Sequence, residues 1–519
     1  MRNKEKISLF WFKRNVYHCF CIALIIFFAC GLLFAESGRT ILEILRNLEQ
    51  QGYTMIYVWI YFLLALILYR SRNKIMEWKR KRVIVFLLVM ALIPRMLLLS
   101  QRIYIPTSDF RNYYEMGVHL ISGDKAFVSD LVTQYQIPKF GGLAVFMAIV
   151  AKLFSTKLIG FQIANVFFSS IICILIYLCI ENYDRRMAFA SSILFAVYPG
   201  NIISSQVTTN HHIAIMFAML GMYLLIKIEH VRDIKKIICA IVSGICFAFS
   251  DFGHPSAIIL IIAVSAYGVM GIFAKEKRDF TRIRYCTCVV VCYFLIVNLG
   301  IFCLQKSGIV SNEINKSSSS YLPKIVVGFN EETRGGYSAE DGRVLGSLNE
   351  EEQQQWCKQQ INERVFQKSP KDILLLFRDK VDQVWFEQDS YAWWYYGGMQ
   401  AKLQEDFENS ILSQEEYDEK RSEFEIYSSY AHFDWLFLRV IYVCVIMGLI
   451  MLIRKGDAST EIVLWMLLGW TSIHLLIEVQ ARYRYLGMPY IFIIAGIGVV
   501  TGYDHITKFV AGVKKRRAG

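Results

Sequence analysis

Long apolar runs recur about twelve times along this chain, each close to the roughly 20 residues that a membrane-crossing helix needs. They lie near 16–35, 54–69, 83–100, 160–181, 187–204, 211–228, 236–251, 255–274, 286–304, 433–453, 461–478 and 486–504. The pattern predicts an all-α polytopic membrane protein.

The short linkers orient it. Some are strongly basic: the start (Arg2, Lys4, Lys6, Lys13, Arg14), the stretch Arg70 to Arg82, Arg185–Arg186, Arg232–Lys236, Lys275–Arg284, Arg454–Lys455 and the tail Lys514 to Arg517. The loops around 205–210 and 251–254 hold no lysine or arginine. Basic linkers stay cytoplasmic. With the spans above, every basic linker falls on one face, both termini are cytoplasmic, and segments 101–159 and 305–432 lie outside.

Composition agrees. Of 519 residues, 55% are hydrophobic and only 19% charged, with a mean hydropathy of +0.37. A soluble chain of this length would be far more polar. The net charge of +12 sits mainly in short linkers and tails, where it faces anionic lipid rather than nucleic acid. Nearly all 13 cysteines lie in apolar runs, and Cys357 is the only one in 305–432, so that segment holds no internal disulfide. The first run, Val16 to Ala35, is too long for a signal-peptide core and reads as a retained span. The chain has no phosphate-loop motif, no dinucleotide fingerprint and no zinc-type cysteine spacing, and its cytoplasmic linkers are too short for a nucleotide-binding domain.

In the first outer segment, Phe110, Tyr113, Tyr114, Gly117, Val118 and Ile121 make one apolar helical face. The apolar stretch Leu143–Phe154 follows. Making it a span would move Arg185–Arg186 outside, so it reads as a helix lying in the interface or re-entering the membrane. In 305–432, Ser317–Ser320 reads as flexible. Ser347-Leu348-Asn349-Glu350 and Ser369-Pro370-Lys371-Asp372 read as helix starts. Ile373, Leu376, Phe377, Val381, Val384 and Trp385 form a stripe able to dock on the membrane or the bundle, and Tyr391 to Tyr396 reads as an interfacial aromatic belt.

Three constellations can carry chemistry. Asp109, at the start of the first outer helix, can serve as a general base or simply as an N-cap. Glu478, Arg482, Tyr483 and Arg484 fill the loop between the last two spans. Arginines there run against the charge bias, and their guanidinium forks suit a phosphate headgroup; an ion pair of Glu478 with Arg482 is the plainer alternative. Asn210, His211 and His212, with Asp251 and His254, sit at outer ends of spans, where interfacial hydrogen bonding explains them unless the fold brings them beside Asp109. Adjacent histidines point to different helix faces and do not form a zinc pair alone. Gly496, Gly498 and Gly502 suit close helix packing.

The order of these pieces resembles the GT-C superfamily of membrane glycosyltransferases, nearest to family-39-type enzymes, the relatives of protein O-mannosyltransferases and aminoarabinose transferases. Asp109 with Tyr113 and Tyr114 resembles the catalytic aspartate loop. Pro138 to Phe154 resembles the juxtamembrane helix, Tyr198-Pro199 through Thr209 the second outer loop, and Arg482-Tyr483 with Pro489 the late RY…P signature. Asn210 departs from it, standing where many relatives carry an acid.

The resemblance implies a GT-C-like bundle of about twelve spans with a helical exoplasmic segment. Residues 1–82 are an additional hairpin, 83–304 the catalytic membrane core with its first outer loop at 101–159, 305–432 the exoplasmic segment, and 433–519 the last spans with a basic cytoplasmic tail. It further implies a sugar donor on a polyprenyl phosphate and a glycan, lipid or protein acceptor in a bacterial plasma membrane. Asp109 would be the base, Arg482 and Arg484 the phosphate ligands, and Tyr113, Tyr114, Asn210, His211, His212, Glu478 and Tyr483 the cavity wall. A divalent metal is compatible with that chemistry, but no ligand motif supports one. The alternatives are a transporter or flippase of lipid-linked glycans, and a glycan polymerase or ligase. A transporter would show related halves and a charge at mid-membrane; no second copy of the first half is present.

Overall fold

The computed structural model describes residues 2–34, 52–273, 280–312, 314, 321–387 and 391–518, which form helices and connecting turns with no strand among them. Ser317–Ser320 and part of the Lys275–Arg284 linker lie outside the described residues.

The chain opens with α1 (Arg2–Phe34), α2 (Gly52–Glu77) and α3 (Arg80–Leu99). The first segment that the charge pattern assigns to the outside folds as α4 (Ser108–Ser122), α5 (Lys125–Tyr135) and α6 (Phe140–Leu153). The central bundle follows: α7 (Leu158–Ile180), α8 (Arg185–Val197), α9 (Pro199–Ser204), α10 (His211–Lys227), α11 (Asp233–Gly253), α12 (Ile258–Gly271) and α13 (Thr281–Lys306). The second outer segment holds α14 (Leu322–Gly328), α15 (Ala339–Ser347), α16 (Glu350–Ile361), α17 (Pro370–Val381) and α18 (Ala392–Glu408). The chain ends with α19 (Gln414–Lys455), α20 (Ala458–Leu476) and α21 (Met488–Ala518).

Ten helices among the described residues are long and apolar enough to span a bilayer, against the twelve segments read from the sequence. The other two are helical but short, and each has a proline at its boundary. Pro255 delays α12 until Ile258, leaving 14 residues. Pro199 splits the 187–204 segment into α8 and α9. The α6 helix also has only 14 residues, short of a full crossing. It packs against α4, α11 and α13.

The basic linkers gather at one end of the bundle. Arg80 pairs with Glu181, and Arg185 donates to the Trp78 carbonyl. Arg186 pairs with Asp504 at 3.1 Å, and Arg282 bridges Glu229 and Glu461 at 3.1 Å each. Tyr183 donates to the Lys455 carbonyl at 2.6 Å. The loops that contain Asp109, Asn210, His254 and Arg482 lie at the other end of the same helices. Helices α19 and α21 cross so closely that a Cβ at Gly498 would collide with the Cys444 carbonyl, which is why that stripe is glycine.

The break at Pro199 shapes the second outer loop. Proline has no N–H to bond the preceding turn, so the last carbonyls of α8 need other donors. Asn201 Nδ2 takes the Phe195 carbonyl at 3.0 Å, Arg95 takes Ala196 at 2.8 Å and the Tyr61 hydroxyl takes Val197 at 2.6 Å. Asp434 accepts from the Gly200 N–H at 2.9 Å and fixes the start of α9. Arg95, fully buried within a span, is thus engaged by helix carbonyls and by Ser169 at 3.0 Å. Asn201→Leu removes one of these donors and orphans a carbonyl in a dry interior. It is expected to lower stability by about 1–3 kcal/mol, read as an earlier thermal transition of the purified protein in detergent.

Candidate active site

Asp109 lies in the first turn of α4, after Thr107 at the N-cap position; no side chain caps this helix start. The residue just before it, Ser108, has φ of +50°, a left-handed value costly for a side chain bearing a Cβ. The carboxylate is therefore not used as the cap. Its Oδ2 accepts from Arg482 Nη2 at 2.9 Å, and its Oδ1 accepts from the Tyr135 hydroxyl at 3.0 Å. Asn112 Nδ2 donates to that same hydroxyl at 3.0 Å, so the phenol is oriented on both sides. The Asp109 side chain remains 30% exposed, whereas Arg482 is 9% exposed.

Arg482 sits on a 3₁₀ turn, Ala481–Gly487, between α20 and α21. Its guanidinium lies 5.0 Å from the Phe110 ring centre and 4.8 Å from that of Trp394. Such contacts with ring faces favour the cation. Its Nε is buried and makes no hydrogen bond among the described residues. Arg484, two positions on, points to another side of the 3₁₀ turn. It is buried and donates to the carbonyls of Glu387 at 2.7 Å and Val384 at 3.4 Å. Those carbonyls close the helical stretch that follows α17. Tyr442, Trp435 and Arg439 bind its Trp385 and Phe386 carbonyls. The structure places Arg484 under the second outer segment, not on Asp109.

Glu478 pairs with Lys324 of α14, not with Arg482. The backbone follows: the Glu478 N–H donates to the Lys324 carbonyl, and Val479 N–H to Gly335, each at 2.8 Å. A Cβ at Gly328 would strike the Ile477–Glu478 peptide, so only glycine allows this approach. Lys380, fully buried, adds bonds to the Gly328 and Leu475 carbonyls at 2.8 and 2.9 Å. Burial pushes its pKa down to about 7. The second outer segment is thereby tied to the strand-like stretch that leads into Arg482.

The polar groups of the second outer loop form the wall beneath. Asn210 donates to the Gly253 carbonyl at 2.8 Å. The Tyr391 hydroxyl contacts His211 Nδ1 and lies 3.0 Å from the Thr209 hydroxyl, and His212 Nδ1 lies 2.9 Å from the Tyr485 hydroxyl. The His254 ring packs 4.8 Å from His211. Burial, with the charges of Arg482 and Lys324, pushes the His254 pKa down to about 3, so this imidazole is neutral. Asp251 is consumed by Lys139, by Tyr293 at 2.7 Å and by the Ala257 N–H at 3.1 Å. Tyr113 is buried against Phe110, Tyr135 and Phe140, and Tyr114 donates to the Thr156 carbonyl at 3.1 Å. Tyr483 stacks on His474. Among the described residues, no group of three or more His, Cys, Asp or Glu side chains is placed to hold a metal.

Sequence reasoning singles out Asp109, Arg482 and Glu478 but misses Tyr135, Asn112, Trp394 and Lys324. The stretch Tyr391 to Tyr396 is not a lipid-facing belt. Tyr391, Tyr395 and Tyr396 are buried, Trp394 packs on Arg482, and only Trp393 is largely exposed.

The ten long apolar helices among the described residues mark a multi-pass integral membrane protein. A family model described as conserved hypothetical integral membrane protein matches residues 143–502, and the chain belongs to that family. No curated protein matches it. Among solved structures it is similar to the archaeal oligosaccharyltransferase AglB from Archaeoglobus fulgidus, in complex with an inhibitory peptide and a dolichol-phosphate. The identity is 12% and the TM-score 0.43, covering 84% of this chain and 52% of that one. The chain thus spans about half the length of AglB. It is also similar to ArnT from Cupriavidus metallidurans bound to undecaprenyl phosphate, at 13% identity and TM-score 0.34, covering 82% of this chain and 78% of that one.

Proposed function

We propose that this protein is a membrane glycosyltransferase that moves a sugar from a polyprenyl-phosphate donor to a hydroxyl acceptor, with Asp109 as the base. The observation that carries the reading is the pairing of Asp109 with Arg482 across 373 residues of chain, at the end of the bundle away from the basic linkers. A partly exposed carboxylate beside a shielded arginine supplies both groups that such a displacement needs. The resemblance of these loops to GT-C enzymes supports it.

In this mechanism the acceptor O–H gives its proton to Asp109 as its oxygen attacks the anomeric carbon. The C1–O bond to phosphate breaks, and its electron pair goes to the phosphate oxygen, where Arg482 stabilises the new charge. Attack opposite the leaving group inverts the anomeric centre. Tyr135 orients the carboxylate. Tyr135→Phe is expected to lower kcat about ten- to hundredfold, the value of one hydrogen bond to a charged group, while donor affinity stays unchanged.

The direct test incubates the purified protein in proteoliposomes with a panel of polyprenyl-phosphate sugars. Release of free polyprenyl phosphate with any of them supports the reading. Specific binding of lipid-linked glycan with transport across the bilayer and no release would replace it with the flippase alternative.

A further inference from the structure

We infer that Arg482 and Lys324 form a two-cation phosphate seat which, in the free protein, is filled by the protein's own carboxylates Asp109 and Glu478, and that an arriving phosphate group displaces them, so that donor binding is what releases the base. This rests on the proposed transferase reading and adds to it the order of events and a residue from the second outer segment.

Four observations point there. Each cation carries one carboxylate: Arg482 holds Asp109 at 2.9 Å, and Lys324 holds Glu478. The two pairs share one neighbourhood. Glu478 and Arg482 stand four residues apart on the stretch before α21, and burial together with the charges of Arg482 and Lys324 lowers the pKa of one shared neighbour, His254. Arg482 retains a buried Nε with no hydrogen bond among the described residues, a donor left over after Asp109 is bound. Finally, the carboxylates have other partners to fall back on. Tyr135 still holds Asp109 at 3.0 Å, and Gln480 donates to Glu478 at 2.9 Å. Lys324 is half-exposed and unbranched, so it can swing without moving α14.

The charge balance permits exchange, since the phosphate takes over donors that a carboxylate already occupies. Two cations and two carboxylates are neutral together. A phosphate diester or monoester brings one to two negative charges to the same donors, and an arginine fork binds phosphate oxygens as it binds a carboxylate. While Arg482 holds Oδ2 of Asp109 and Tyr135 holds Oδ1, both carboxylate oxygens are engaged. Once phosphate takes the guanidinium, Oδ2 is released to receive the acceptor's hydroxyl proton while Tyr135 keeps the carboxylate in place. A protein that frees its base only when donor is seated avoids deprotonating water or acceptor unproductively.

The prediction is opposite to that for ordinary binding residues. If Asp109 and Glu478 compete for the seat, neutralising either should tighten phosphate binding. With the full-length protein in nanodiscs, Asp109→Asn and Glu478→Gln are each expected to bind polyprenyl phosphate about tenfold more tightly than the parent, the gain from opening a site that is closed nine-tenths of the time. Lys324→Gln is expected to weaken it by a similar factor, and Arg482→Gln by more, at least about thirtyfold. Inorganic phosphate and phosphatidylglycerol nanodiscs run as parallel arms. Tightening with inorganic phosphate alone assigns the same exchange to a free anion, and tightening with phosphatidylglycerol assigns it to a bilayer headgroup. If the cation variants weaken binding but neither carboxylate variant tightens it with any probe, the exchange is wrong and the donor site stands. If no variant changes affinity for any probe, both fall.

Discussion

Asp109→Asn is expected to reduce glycosyl transfer by about 10²–10⁴-fold, the range lost when a positioned general base is removed. The fold should survive. Asparagine keeps the shape of the side chain and one oxygen that can accept from Arg482 or Tyr135. Asp109 is 30% exposed, so water compensates part of the lost charge. A cost remains, because the more buried Arg482 loses its anionic partner. Ring contacts with Phe110 and Trp394 limit that cost. The measurement is single-turnover release of polyprenyl phosphate with saturating donor, beside a thermal transition on the same sample. A variant that transfers at the full rate removes Asp109 from the mechanism. A variant that is inactive and also unfolds early is read through Asp109→Glu, which keeps the charge and displaces it by one methylene. Retention of partial activity by the glutamate variant is the outcome that a base requires.

The architecture was largely legible because lipid imposes a one-dimensional rule. Spans need apolar length, and backbone groups must be satisfied within helices. The apolar runs therefore gave the helices, and the linkers that were grouped by charge do meet in space, as Arg80 with Glu181 and Arg186 with Asp504 show. The helix start at Ser369 was readable because capping is local: its side chain accepts from the third residue of the helix. The capping box read at Ser347 and Glu350 instead forms two residues later, at Asn349 and Glu352, because Ser347 still belongs to the end of α15. Boundaries were less legible where proline acted. Pro199 was hidden inside a run that hydropathy treats as continuous, and Pro255 opened a run whose helix starts only at Ile258.

Pairing was the least legible layer. Glu478 and Arg482 have helix spacing, but the chain there is extended and then 3₁₀, and Glu478 turns to Lys324 instead. Nothing local could reveal that partner, since it comes from 154 residues away. Arg482 and Arg484 looked equivalent for the same reason. Their different fates depend on the 3₁₀ turn and on where the carbonyls of Val384 and Glu387 fall.

That difference sets up the second large effect. Arg482→Ala is expected to weaken donor binding by about 2–5 kcal/mol, the cost of truncating one partner of a shielded, hydrogen-bonded charge pair. Acceptor KM should move little, because the guanidinium serves the phosphate and not the hydroxyl. Arg482→Lys keeps the charge but loses the fork and the flat face that packs against Phe110 and Trp394, so it should fall between the parent and the alanine variant. Arg484→Ala provides the contrast. Its hydrogen bonds go to helix-end carbonyls of the second outer segment, so its loss should lower the thermal transition and leave donor affinity nearly intact once the protein is folded. Titrating polyprenyl phosphate against all three variants separates the roles. Donor affinity unchanged in Arg482→Ala removes this residue from the phosphate site, and an equal loss in Arg484→Ala would mean that the two arginines act together despite their different orientations.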